Sequence, residues 1–184
     1  MITNNLRKLS IGFLVAILIA ISAFPTGNGL PTGITNESTT STVIANGCNC
    51  HNAEATASVI VNLTLPKNFT SGETYTLILN ISGGPNDLAD GENRGGFFVT
   101  ASDGELSPTV NDTLVQKPFG FTHLTHTVDG NDYREWTFEW TAPESDDVSV
   151  QFVAYGNSVN GADGLQGDYW NKQATTLYGI NAVV

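Results

Sequence analysis

The sequence predicts an all-β domain, an antiparallel sandwich or barrel with almost no helix. Three observations carry that expectation. From Ala57 onward, apolar residues recur at every second position over short runs, which is the period of a half-buried strand. Clusters of Gly, Pro, Asn, Asp and Ser separate those runs; such residues set turns through φ freedom, a fixed φ or side-chain bonds to the main chain. No stretch behind the N-terminal leader repeats apolar residues at the 3.6-residue spacing of an amphipathic helix.

The first element lies outside that domain. Arg7 and Lys8 precede an uncharged run from Leu9 to Phe24 that includes Phe13-Leu14-Val15-Ala16-Ile17. A basic pair before a short apolar core is a signal-peptide pattern. A spanning helix wants about 20 apolar residues, and this run gives way at Pro25-Thr26-Gly27. Cleavage is expected, near the small pair Ala20 and Ser22 or nearer Gly29, with an uncleaved N-terminal anchor as the alternative. No cysteine follows the run closely, and Ile180-Asn181-Ala182-Val183-Val184 supplies no second apolar segment, so neither a lipid anchor nor a tail anchor is expected. The expected organisation is a leader over 1–24, a Ser/Thr/Asn/Gly-rich linker over 25–45 and a β domain over 46–184, secreted or otherwise extracytoplasmic.

Charge agrees with that address. The full chain carries −11, and losing the leader removes Arg7 and Lys8 but no acidic residue, which leaves −13. Such a surface repels nucleic acid and anionic membrane. Membrane contact is expected only through the N-terminal segment if it stays uncleaved. The linker stretch Thr35-Asn36-Glu37-Ser38-Thr39-Thr40-Ser41-Thr42 has no apolar period, and the expectation there is a mobile segment.

The strands follow in order. Val59, Val61, Leu63 and Leu65 share one face against Asn62 and Thr64; Pro66 to Gly72 is a turn by composition; Tyr75, Leu77, Leu79 and Ile81 then repeat the pattern. Further strands are predicted around 95–102, 121–128, 135–140, 148–154 and 175–183. Trp136, Phe138 and Trp140 fall on one face, and alternating aromatics in a strand are read as core rather than as a sugar-stacking platform. Asn-x-Ser/Thr sequons stand at Asn36, Asn62, Asn68, Asn80 and Asn111; Asn62 and Asn80 lie on the polar faces of their strands, where a glycan is feasible.

One cluster is capable of chemistry. Gly47-Cys48-Asn49-Cys50-His51 holds both cysteines of the chain. In extended backbone, residues two apart point to the same side, so both sulfurs can face one ion or each other, and a turn allowed by Gly47 would bring His51 in. Three readings stay open. The oxidising compartment and even count favour a Cys48–Cys50 disulfide, although so small a ring constrains little. Two thiolates and an imidazole, with His123 or His126 as a fourth ligand, suit zinc or copper. A thiol pair followed directly by histidine is also one residue short of the Cys-x-x-Cys-His signature of covalent haem c attachment, which leaves a variant attachment with a distal histidine. His123 and His126 stand three apart in a strand-like segment and should face opposite sides, so one ion cannot take both without a bulge.

Several elements together resemble a known family. They are Gly47-Cys48-Asn49-Cys50-His51, Leu65-Pro66, Ser71-Gly72-Glu73-Thr74-Tyr75-Thr76-Leu77, Gly96-Phe97-Phe98-Val99-Thr100-Ala101, Thr125-His126-Thr127, Trp136-Thr137-Phe138-Glu139-Trp140-Thr141-Ala142-Pro143 and Tyr155-Gly156-Asn157-Ser158-Val159-Asn160-Gly161 with Gly167-Asp168-Tyr169. The chain from about Gly47 to Leu177 is similar to extracellular Reeler-like modules of the choice-of-anchor V type. The resemblance implies an immunoglobulin-like β-sandwich of about seven to eight strands at the cell surface. It also pairs the Cys-x-Cys-His element with the later histidine, which is the reason to prefer His126 over His123. Such relatives are often held by different C-terminal anchors, and none is expected here.

Two further features bound the function. Asn157, Asn160, Asp163 and Asp168 lie in a Gly-rich loop whose oxygens suit calcium, although the spacing is not that of an EF-hand and any long sandwich loop is rich in these residues. No nucleophile elbow, zinc-protease helix or phosphate-binding glycine loop occurs, so no enzyme is expected. The functional expectation is an exported module that binds other surface proteins or glycans, with Cys48, Cys50, His51 and His126 as a metal or haem site. The alternative is an extracellular monohaem electron carrier.

Overall fold

In β1 (Val59–Thr64) buried and exposed residues alternate along the whole strand, as its apolar period requires. The computed structural model describes residues 29–86, 92–162 and 164–183. The leader at 1–24 and the calcium candidate Asp163 lie outside them. No helix among the described residues is long and apolar enough to cross a membrane. β2 (Thr74–Gly83) pairs antiparallel with β1, Leu79 opposite Leu63 and Ile81 opposite Val61, so the apolar faces of both strands coincide. Beyond it come β3 (Gly95–Ala101), β4 (Glu105–Pro108), β5 (Val115–Gln116), β6 (Leu124–His126), β7 (Glu135–Thr141), β8 (Ser149–Ser158) and β9 (Tyr169–Tyr178).

The strands form two sheets, β1-β2-β7-β4 and β5-β6-β3-β8-β9, and every strand pairing is antiparallel. Their facing surfaces enclose one apolar cluster that includes Val61, Leu79, Phe97, Trp136, Trp140 and Phe152. The architecture is an all-β sandwich. Trp136 and Trp140 are core side chains whose indole N–H groups donate to the carbonyls of Gly130 at 2.8 Å and Asp103 at 3.0 Å, the partnering that buried tryptophans need.

The strands depart from expectation in three places. β4 and β5 are too short to show an alternation, which is how the described residues form nine strands instead of seven to eight. β6 keeps only Leu124–His126 of the expected 121–128, and β9 starts at Tyr169 instead of Thr175. Trp170 and Leu177 are the buried residues of β9, with polar ones between, so its pattern was hidden.

The larger correction concerns the linker expected to be mobile. It forms α1 (Glu37–Asn46), with the Asn36 side chain accepting from the Thr39 amide at 2.9 Å at the start and Gly47 at the end. Its Ser and Thr residues are weak helix formers, and a helix this short gains stability from packing rather than from propensity. Val43 and Ile34 supply that packing, covering Phe98, Tyr155 and Trp170 on the outer face of the five-stranded sheet. Among the sequons, Asn36 thus serves as a helix cap, Asn62, Asn68 and Asn111 are exposed, and Asn80 is half-buried with its amide on Glu135 at 3.2 Å.

Candidate functional site

The Cys-x-Cys-His element starts where α1 stops. The Gly47 amide donates to the Val43 carbonyl at 2.8 Å, and Gly47 adopts φ 72 with ψ −161, a conformation open essentially to glycine alone. The His51 amide then donates to the Cys48 carbonyl at 3.0 Å, which closes Cys48-Asn49-Cys50-His51 into one tight turn. Trp170 holds this turn against β9. Its indole N–H donates to the Asn52 carbonyl at 2.7 Å, and its ring fills the space where a Cβ on Gly47 would sit.

The turn forms the rim of a cavity of about 610 Å³ at one end of the five-stranded sheet. Cys48, Cys50, His51, His126, Asn157 and Asp168 all line it, between apolar walls that include Ile34, Val43, Phe97 and Leu165. Both cysteines are free, Cys48 half-buried and Cys50 exposed. Burial, with Cys50 adding to it, pushes the Cys48 thiol up to about 12. It is therefore a neutral thiol across the physiological range, a poor nucleophile until a cation or another electrophile reaches it.

His51 has a partner that its sequence position does not reveal. Its Nδ1 lies 2.9 Å from Oδ2 of Asp168, 117 residues away, and the Asp168 side chain is fully buried. The other carboxylate oxygen accepts from the Asn160 amide at 3.1 Å. In neutral imidazole, donation from Nδ1 places the lone pair on Nε2. Asp168 is thus tied into the cavity wall. Asn160 is spent as well, its Oδ1 accepting from the Ala162 amide at 2.9 Å and its Nδ2 donating to the Gln166 carbonyl at 3.0 Å. Two of the calcium candidates therefore spend their oxygens within the protein. The third described one, Asn157, is buried, and its Oδ1 has no hydrogen-bond partner among the described residues.

The two histidines fall on opposite faces, as their spacing requires. His123 is buried against Phe98 and Phe121 and donates through Nε2 to the Ile34 carbonyl at 2.9 Å. His126 reaches the cavity, yet both its nitrogens are engaged: Nδ1 accepts from the Phe97 amide at 3.1 Å and Nε2 donates to the Leu30 carbonyl at 3.2 Å. Its ring leaves no room for a Cβ at Gly96. Among the described residues no three His, Cys, Asp or Glu side chains are gathered closely enough to hold one ion.

Desolvation lowers the pKa of both His123 and His126. The unfolded chain takes up protons at these positions below about pH 6.5, whereas the folded chain does so only at lower pH. Their contribution to stability is thus complete above that value and is lost as pH falls through the depressed folded values, by up to about 1.4 kcal/mol per pH unit for each. Urea midpoints measured between pH 7 and 5 should fall, and the double variant His123→Gln/His126→Gln should flatten the slope. An unchanged slope in that variant would contradict the assignment.

No family model matches the sequence, and comparison with curated proteins returns no match. Among solved structures, the chain is similar to the Reelin-N domain of F-spondin, at 14% identity and a TM-score of 0.47 over 73% of this chain and 98% of that one. It is also similar to a human F-spondin reeler domain, at 15% identity and a TM-score of 0.46 over 68% of this chain and 91% of that one. A cohesin module from Clostridium perfringens follows, at 13% identity and a TM-score of 0.39 over 67% and 98% of the two chains.

Proposed function

We propose that the chain is an exported interaction module, secreted or held at the cell surface, whose binding face is the cavity rimmed by the Cys48–His51 turn. One observation carries this reading. A turn with a glycine-only entry and a tryptophan clamp fixes sulfur and imidazole groups at the rim of a cavity of about 610 Å³, within the size range of small-ligand sites. Its partners are other surface proteins or glycans, and exposed Asn62, Asn68 and Asn111 leave room for glycans of its own. Ala162 is exposed at the cavity edge, so Ala162→Trp should obstruct the mouth without touching the core. Glycan-array and surface-protein binding should drop at least about tenfold in that variant, equivalent to about 1.4 kcal/mol. Binding that survives both Ala162→Trp and Cys48→Ser/Cys50→Ser would place the partner elsewhere on the sandwich.

A second reading is an extracellular monohaem electron carrier. Its support is the arrangement of donors, which are spread around a cavity and not gathered on a point. Cys48 and Cys50 would supply the thiols for attachment and His51 the imidazole that holds the iron. The visible spectrum of the protein purified from its native compartment, with iron analysis on the same sample, tests it. A Soret band that survives denaturation would mean covalent attachment, and a colourless, iron-free protein would end this reading.

A further inference from the structure

A fully buried carboxylate is costly unless it is paired and hydrogen-bonded. Asp168 meets that cost with two bonds, one to the Asn160 amide and one to Nδ1 of His51. The second bond has a chemical consequence. It fixes the ring orientation and tautomer, leaving the Nε2 lone pair without a hydrogen-bond partner among the described residues, on a side chain that lines the cavity. Metal-ligating histidines commonly donate their other ring N–H to an anchor of this kind, which orients the ring.

The surroundings decide what the metal must bring with it. Among the described residues no three His, Cys, Asp or Glu side chains gather around one point, which disfavours a bare ion needing four ligands from the protein. His126, the other imidazole in the wall, is already spent on Phe97 and Leu30. The cavity is nevertheless of cofactor size and largely apolar. A flat macrocycle carrying its own nitrogen donors needs one protein imidazole and apolar walls.

We propose that the cavity takes an iron porphyrin coordinated by Nε2 of His51, with Asp168 as the positioning residue. This rests on the second reading above and adds the ligand atom and its support. The covalent bond to Cys48 or Cys50 is not required for it.

The test uses iron protoporphyrin IX and metal-free protoporphyrin IX, each titrated into the purified chain. The iron form should give the Soret and visible bands of imidazole-ligated iron. His51→Gln should lose that signature and regain it with added free imidazole. Asp168→Asn should weaken iron-porphyrin binding about 10- to 100-fold and leave metal-free binding unchanged. If Asp168→Asn does not fold, His51→Gln with imidazole rescue decides alone. An unchanged spectrum in His51→Gln, or unaltered affinity in folded Asp168→Asn, overturns the proposal. Equal affinity of the wild-type chain for both porphyrins would preserve the cavity as a binding face while removing coordination. Failure of both to bind would remove the haem reading and this inference with it.

Discussion

Trp140→Ala should destabilise the chain by about 3–5 kcal/mol, the range for emptying a buried tryptophan site. Trp140 has no exposed surface and packs edge-on against Phe69 at 5.3 Å and Phe152 at 5.1 Å, and stacks near Tyr75 at 6.0 Å. Those partners come from both sheets and from the loop between β1 and β2, so no single element can collapse into the space. The Asp103 carbonyl would also lose its indole donor, adding to the cost if water cannot replace it. Against a total stability of about 5–15 kcal/mol for a domain, such a loss leaves a marginally folded protein. Urea unfolding should show a midpoint well below wild type, whereas Thr137→Ala on the exposed face of the same strand should stay within about 0.5 kcal/mol. A small change at Trp140 would mean that the cluster is not the core.

The contrast between these two positions also shows what was legible in the sequence. Trp136, Phe138 and Trp140 alternate with Thr137 and Glu139, and period two translates directly into one buried and one exposed face. The five-stranded sheet was harder, because it is covered on both sides. Phe97 belongs to the inter-sheet core and Phe98 to the layer under α1, so Gly95 to Val99 is buried continuously. A continuous apolar run of this kind is the sign of a strand covered on both faces, and it was the available clue that something packs outside. The cover itself was not readable, since Thr40 and Val43 are the only buried residues of α1. The site divided the same way. Cys48, Cys50 and His51 were visible as neighbours, and His126 came through family resemblance. Asp168 was visible only as a loop acid, because its partner stands 117 residues away and only the folded chain joins them.

The turn that presents His51 depends on Gly47, and Gly47→Ala should therefore disturb stability and site together. Two physically separate penalties act there. The backbone conformation, φ 72 with ψ −161, costs a residue with a Cβ about 1–3 kcal/mol. The new methyl also meets the Trp170 ring, so the ring must move and its bond to the Asn52 carbonyl goes with it. Once the turn lifts, Cys48 loses the burial that holds its thiol high, and its alkylation rate at pH 8 should rise at least about tenfold. The two penalties separate in a double-mutant cycle with Trp170→Ala. Removing the ring relieves the collision but not the backbone strain, so Gly47→Ala should cost less in the Trp170→Ala background than in wild type, by at least about 0.5 kcal/mol. Full additivity would show that the ring does not hold the turn, and His51 would then have Asp168 alone to orient it.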